Sequence, residues 1–98
     1  MYAVIFRAII NDIDQEYVDA SGSLRVLAES KYGCIKYISI REGYQEITIS
    51  YWQTEEQIQA WKQDPEHLLA QQAGRNKWYT SYEVQITKLL RDYSSQNS

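Results

Sequence analysis

The chain has 98 residues, of which 44% are hydrophobic, and its formal net charge at pH 7 is −3. A chain of this length forms one domain with one thin core, because we expect it to expose roughly 5,800 Å² when folded and about 16,700 Å² when extended. The acidic balance argues against a nucleic-acid partner, which requires clustered lysine and arginine side chains.

The single cysteine, Cys34, cannot form an intrachain disulfide, and its apolar surroundings predict a buried thiol. Residues Met1–Phe6 lack the charged and apolar regions of a signal peptide. No apolar run approaches the ~20 residues that cross a bilayer. We therefore expect a cytoplasmic protein with no membrane partner.

The first third of the chain predicts a strand followed by a helix. Tyr2–Ile10 is apolar at nearly every position, which is typical of a strand buried on both faces. Apolar residues then recur at helical spacing from residue 13 to residue 31. Gly22 is interpreted as a kink or a close contact within that helix, and Gly33 as its stop.

Three further strands follow from their β-branched and aromatic content. Cys34–Arg41 and Glu46–Trp52 predict an antiparallel hairpin with its turn at residues 42–45. Trp78–Leu90 predicts a final strand, and strict alternation would place Tyr82 on one face and Tyr79 on the other.

A helix in two pieces is predicted between the hairpin and the final strand. Thr54 and Gln57 have the spacing of a capping box that opens the first piece. Asp64 and Pro65 suit the cap and first position of the second piece, which Gly74 closes.

The predicted order is β-α-β-β-α-β, the split βαβ arrangement of an α+β ferredoxin-like fold with an antiparallel sheet and its helices on one face. The strands are apolar on both sides, so the other face also needs cover. A second copy of the chain is the simplest cover and predicts a homodimer. We expect the domain to span residues 1–92, with residues 93–98 as a disordered polar tail.

The residues that bear chemistry concentrate between residues 50 and 82, which include all three tryptophans and the only histidine. Tryptophans that fill the core are the simpler interpretation of each one alone. Together they indicate a wide apolar pocket for a flat aromatic or otherwise apolar molecule. The candidate residues are Trp52, Trp61, His67, Gln71, Arg75, Trp78 and Tyr82.

His67 falls in the first turn of a helix, which favours a neutral imidazole. A metal site is not expected, because no cysteine, aspartate or second histidine stands at ligand spacing. No catalytic triad, phosphate-binding glycine loop or dinucleotide fingerprint is present. Chemistry would then depend on Trp, Tyr, His, Gln and Arg side chains, or on an added cofactor.

Residues 50–82 resemble the antibiotic biosynthesis monooxygenase family, and the layout of elements extends the resemblance over about residues 2–90. The matching segments are Ser50-Tyr51-Trp52-Gln53-Thr54-Glu55-Glu56, Ile58, Ala60-Trp61-Lys62, Pro65-Glu66-His67, Ala70-Gln71, Gly74-Arg75, Trp78-Tyr79 and Tyr82. The resemblance implies a dimeric α/β barrel. It also implies one of several activities, from oxygenation of polycyclic aromatic substrates without metal, flavin or haem to haem binding and degradation.

The resemblance disfavours haem for this chain. Trp61 matches a pocket tryptophan that the haem-degrading relatives share. Their haem-ligating histidine would fall at Gln71, and their first-strand asparagine falls near Phe6. His67 lies four positions away from the ligating position.

The leading hypothesis is a monooxygenase that needs no cofactor and joins dioxygen to a small aromatic or quinol-like substrate. Trp61 and Trp78 would stack on the ring, with Trp52 in the same pocket. His67 or Tyr82 would handle the proton, and Gln71 or Arg75 would stabilise the oxyanion. The alternatives are a non-catalytic dimeric module that binds small molecules or serves in stress response, and a haem-binding protein.

Overall fold

The computed structural model describes residues 1–96, and its elements follow the predicted order. The second helical region is divided in two, as the Asp64-Pro65 pair predicts. Residues 93–96 of the expected tail form neither helix nor strand, and residues 97–98 lie outside the described residues. The elements are β1 (Tyr2–Ile10), α1 (Gln15–Lys31), β2 (Lys36–Glu42), β3 (Gln45–Trp52), α2 (Glu55–Lys62), α3 (Pro65–Ala73) and β4 (Tyr79–Lys88).

The four strands form one antiparallel sheet in the order β2-β3-β1-β4. This confirms the ferredoxin-like α+β fold, with the helices covering one side of the sheet. Directly paired residues share a face, so the strand register divides the side chains into two sets. The inner face, toward the helices, carries Val4, Phe6, Tyr37, Ser39, Glu46, Thr48, Ser50, Trp52, Tyr82 and Val84. The outer face carries Ile5, Arg7, Ile9, Ile38, Ile40, Ile47, Ile49, Tyr51, Glu83 and Gln85.

Side-chain caps fix where the helices begin. The Asp14 carboxylate accepts a hydrogen bond of 2.8 Å from the Tyr17 amide at the start of α1. Thr54 and Gln57 form the predicted capping box at the start of α2. These bonds satisfy amide groups that have no partner within the helix.

Two predictions about glycines have different outcomes. Gly33 follows α1 with a φ of 83°, so it ends the helix as predicted. The close contact suggested at Gly22 is wrong, because a Cβ there would meet nothing within 4 Å, and α1 continues through this position. Its place in the helix is not explained by a neighbouring atom.

The chain between α3 and β4 differs from the prediction. After α3 ends at Ala73, Gly74–Trp78 forms a π-helical turn, so the strand begins at Tyr79 instead of Trp78. Gly74 has helical angles, φ −59° and ψ −48°. It is required because a Cβ there would lie 2.9 Å from the Tyr79 ring.

The core lies between the β1–β3 pair and the helices. Its buried members are Val4, Ala28, Cys34, Trp52, Ile58 and Trp61. Cys34 is buried as predicted, and this burial raises the pKa of its thiol. Within residues 1–96, none of the helices combines the length and hydrophobicity needed to cross a bilayer.

Candidate ligand-binding cavity

A cavity of about 310 Å³ lies between the helices and the inner face of the sheet and opens to solvent. This volume is at the lower end of the range of roughly 300–1,000 Å³ that is usual for small-molecule sites. Helix α1 contributes one wall, because residues spaced three and four apart share a helix face. That wall includes Tyr17, Ala20, Ser21 and Leu24.

Five of the seven candidate residues line this cavity: Trp61, His67, Gln71, Trp78 and Tyr82. The structure places the other two elsewhere. Trp52 is fully buried in the core, where its indole nitrogen donates a 2.9 Å hydrogen bond to Ser50 Oγ. Arg75 is exposed and reaches the cavity only through Tyr82, whose hydroxyl oxygen lies 3.5 Å from the Arg75 guanidinium.

His67 is held in place by the end of helix α2. Its Nδ1 lies 3.1 Å from the Trp61 carbonyl oxygen, and its ring stacks on the Trp61 indole with centroids 4.2 Å apart. A carbonyl oxygen only accepts hydrogen bonds, so we assign the proton to Nδ1 and the lone pair to Nε2. Burial lowers the pKa of His67 below its ordinary value, although the Trp61 contact acts in the opposite direction. The side chain therefore suits the role of a neutral proton acceptor.

The first turn of α3, which carries His67, is anchored by Asp64. This buried carboxylate accepts hydrogen bonds from the Glu66 amide at 2.9 Å and from the Tyr32 hydroxyl at 2.6 Å. The Tyr32 bond is the main reason that the pKa of Asp64 is lowered. Because α3 starts at a fixed point, His67 and Gln71, four residues apart, present their side chains to the same cavity.

Aromatic rings form much of the cavity wall. Trp61 packs edge-on against Tyr37, and Trp78 packs edge-on against Tyr17 with centroids 5.2 Å apart. Among the described residues, the buried indole nitrogens of Trp61 and Trp78 have no hydrogen-bond partner. Most buried donors in folded proteins have a partner, so these two indole nitrogens are exceptions in the cavity wall.

The sequence did not point to a second polar group in the cavity, which centres on Glu46. This side chain is only 8% exposed, and its carboxylate accepts a close hydrogen bond from the Tyr17 hydroxyl and a long one, of 3.4 Å, from the Tyr79 hydroxyl. Burial, together with the charge of Glu46, raises the pKa of Tyr17 to about 12 and also raises that of Tyr79. Both phenols therefore keep their protons at neutral pH and act as hydrogen-bond donors.

The position of Tyr79 corrects the predicted alternation of the last strand. Tyr79 was expected on the face opposite Tyr82, yet both line the cavity. The β1–β4 register shifts between Ile9 and Ile10, so Ile9 pairs with Ser81 while Ile10 pairs with Tyr79. This irregularity turns Tyr79 toward the helices.

The alternation of β3 carried a signal for Glu46. Glu46, Thr48 and Ser50 occupy every second position and share the inner face. Polar residues at that spacing are normally placed toward solvent. Here they face the cavity. As for metals, residues 1–96 contain no group of three or more His, Cys, Asp or Glu side chains that could hold an ion.

Comparison with solved structures identifies the fold to which this chain belongs. The fold matches SnoaB, a cofactor-independent oxygenase from Streptomyces nogalater, with a TM-score of 0.79, 12% identity and coverage of 96% of this chain and 97% of that chain. A candidate antibiotic biosynthesis monooxygenase from Nitrosomonas europaea matches with a TM-score of 0.76, 14% identity and coverage of 93% and 100%. The chain therefore has the fold of the antibiotic biosynthesis monooxygenases, as the sequence resemblance implies.

One curated protein is similar in sequence as well. The uncharacterised protein YqjZ of Bacillus subtilis (strain 168) is 35% identical over 91 residues, which cover 92% of this chain and 80% of YqjZ. The chain belongs to the same family as YqjZ. A comparison with protein-family models gives no match.

Proposed function

We propose that this protein is a monooxygenase that uses no cofactor and joins dioxygen to a small aromatic or quinol-like phenol. The observation that carries the proposal is that His67 lines an aromatic cavity while its Nδ1 contacts the Trp61 carbonyl, which leaves Nε2 as the proton-accepting nitrogen. The fold of SnoaB, which is a cofactor-independent oxygenase, supports the same reaction class.

The reaction needs no external reductant, because the substrate supplies all four electrons that dioxygen takes up. His67 removes the phenol proton, and the electron-rich phenolate transfers an electron to dioxygen. The resulting radicals combine through a new carbon–oxygen bond at a ring position that carries hydrogen. The protonated His67 returns its proton to the resulting peroxide. The O–O bond of this hydroperoxide then breaks, and the ring hydrogen and the outer OH leave together as water, which gives a quinone. One oxygen atom enters the product and the other leaves in water.

The remaining candidate residues have roles that fit their positions. Trp61 and Trp78 present flat apolar surfaces to a ring, and the free Trp61 indole N–H can donate to a ligand oxygen. Gln71 lies on the same helix face as His67 and can stabilise negative charge on the phenolate. Tyr82, in the cavity wall, is the second candidate for proton transfer, with Arg75 beside its hydroxyl.

The outer face of the sheet supports the homodimer that the sequence predicts. It exposes Ile9, Ile40 and Ile47, with Ile40 65% exposed. The chain exposes 6936 Å² in all, more than the roughly 5,800 Å² expected for a folded monomer of this size. The unpaired chain end adds to this total, but the isoleucine surface is of the kind that a partner subunit buries. A second copy at this face completes a dimeric α/β barrel.

Oxygen uptake tests the proposal. Naphthols and dihydroxynaphthalenes are incubated with the protein in an oxygen-electrode cell, and the rate without protein is subtracted. We expect His67→Ala to lower the protein-dependent rate by roughly 10²–10⁴-fold, the usual size of general-base catalysis. Tyr82→Phe reports the second proton-transfer candidate, and Leu69→Ala, an exposed change on the same helix, is the control.

The pH profile gives an independent readout. Because the pKa of His67 is lowered by burial, the wild-type rate should stay level down to about pH 6.5, the ordinary pKa of histidine, and fall below it as Nε2 becomes protonated. Uptake that survives both His67→Ala and Tyr82→Phe would overturn the proton-transfer role. Saturable ligand binding without any oxygen uptake would instead support a non-catalytic binding module.

A further inference from the structure

Glu46 stands apart from the residues used above, although it lines the same cavity. Its side chain is more than nine-tenths buried, and it comes from the sheet, whereas His67 comes from α3. Within the described residues, no lysine, arginine or histidine nitrogen lies within 4.0 Å of its carboxylate. A buried carboxylate without a cationic partner is costly, so its hydrogen bonds carry most of its stabilisation.

The two carboxylate oxygens are not equally satisfied. Oε1 accepts a close hydrogen bond from the Tyr17 hydroxyl. Oε2 is reached only by the Tyr79 hydroxyl at 3.4 Å, which is beyond the usual range of about 2.5–3.0 Å for an O–H···O bond. A ligand hydroxyl or amino group can therefore donate to Oε2 in place of Tyr79.

We propose that Glu46 determines which ligands the cavity accepts, by taking a hydrogen bond from a neutral donor group at Oε2 and rejecting anionic ligands. This inference rests on the proposed function and identifies Glu46 as the group that binds the substrate in the same site. A second negative charge beside an unpaired buried carboxylate is strongly unfavourable. The cations that line the cavity do not cancel this effect, because Arg25 pairs with Glu29 at 3.4 Å and neither Arg25 nor Lys62 reaches Glu46.

The same charge orients a phenol substrate. Burial and Glu46 raise the pKa of the phenols beside it, as at Tyr17 and Tyr79. A substrate hydroxyl that contacts Glu46 is therefore kept protonated. The reacting hydroxyl is deprotonated by the other polar group, His67. A substrate with two hydroxyls therefore binds with the reacting hydroxyl toward α3 and the unreactive hydroxyl toward β3. The substrate class is thus a neutral aromatic with two separated donor groups.

Isothermal titration calorimetry at pH 7.5 with two probes, 1-naphthol and 1-naphthoate, tests this inference. The probes have similar ring systems, but only naphthoate is anionic. We expect wild type to bind naphthol more tightly than naphthoate, and Glu46→Gln to narrow that difference by about 10-fold or more, since one like-charge contact is worth several kcal/mol. Glu56→Gln, which removes an exposed acidic group at the start of α2, should leave the ratio unchanged.

Tyr79→Phe provides a second route if Glu46→Gln does not fold. It removes the competing donor and keeps the ring, so naphthol should bind at least as tightly as to wild type, with naphthoate still rejected. A naphthol-to-naphthoate ratio in Glu46→Gln within twofold of wild type would overturn the inference, as would a tenfold loss of naphthol affinity in Tyr79→Phe. If neither probe binds any form of the protein, the aromatic-binding function itself fails together with the inference.

Discussion

Strand β3 presents its two faces with a polarity that is the reverse of the one found in a simple two-layer domain. The inner face, which the helices cover, carries Glu46, Thr48 and Ser50 along β3, whereas the outer face carries Ile47 and Ile49 on the same strand. In an antiparallel sheet with one face in water, the apolar set normally packs on the core. Here the polar set faces inward.

This reversal shows that neither face is a plain core or a plain solvent surface. The inner face forms one wall of a cavity, so its polar groups can form hydrogen bonds with a ligand instead of being buried without partners. The outer face exposes isoleucines around a single ion pair between Arg7 and Glu83. One face is therefore suited to a small molecule and the other to a second copy of the chain.

A charge placed on the outer face should have the largest effect. Ile47 is 41% exposed and pairs with Arg7 across the sheet, so Ile47→Lys puts two positive charges side by side in the proposed interface. We expect dimer affinity to fall at least about 100-fold, or roughly 2.7 kcal/mol. Analytical ultracentrifugation over a micromolar dilution series measures it.

Val26→Lys is the matched control, because it changes an exposed apolar residue of α1 to the same side chain. It should leave the association state unchanged. If wild type sediments as a monomer at high micromolar concentration, the outer face is not a self-association surface and this half of the comparison fails.

A methyl group at Gly74 should disturb the inner face. In Gly74→Ala the new Cβ would lie 2.9 Å from the Tyr79 ring, which must shift to make room. We expect the free energy of unfolding to fall by about 1–3 kcal/mol, the usual cost of overpacking. Urea denaturation followed by circular dichroism measures this, and an unchanged midpoint would show that Tyr79 is not fixed by that contact.

The same substitution at Gly22 should have the smallest effect and the opposite sign. Gly22 lies within α1 and has nothing within 4 Å of a Cβ position. Gly22→Ala should therefore raise the free energy of unfolding by about 0.5–1 kcal/mol, because alanine loses less backbone entropy in a helix. A destabilised Gly22→Ala variant would mean that α1 packs more tightly there than the structure shows.

The sequence predicted most of the fold, because the fold depends on local patterns. The alternation of β3, the capping box at Thr54 and the Asp64-Pro65 helix start are all short-range signals, and the structure confirms each. The role of Gly74 could not be predicted this way. Its requirement comes from a ring that follows a π-helical turn, which is not apparent in a residue pattern.

The site was harder to predict than the fold. Placing His67 and Gln71 in one helix gave two cavity residues, since their four-residue spacing sets a common face. Trp52 and Trp61 both belong to the buried core, but only Trp61 also lines the cavity, and no residue pattern distinguishes the two. Glu46 was missed because an acidic residue in an alternating strand is expected to face water, and its tyrosine partners lie 29 and 33 residues away in the chain.

The three tryptophans allow the most direct test of the central claim, which is that a ligand-binding cavity lies between the inner face and the helices. In a ¹H–¹⁵N correlation spectrum, each indole N–H gives its own signal, assigned through single Trp→Phe variants. On titration with 1-naphthol, the signals of Trp61 and Trp78 should shift most and saturate together, because both line the cavity. The Trp52 signal should move least, since Trp52 does not line the cavity and its N–H is already bonded to Ser50. Three signals that stay unmoved at millimolar naphthol, or a largest shift at Trp52, would contradict the account.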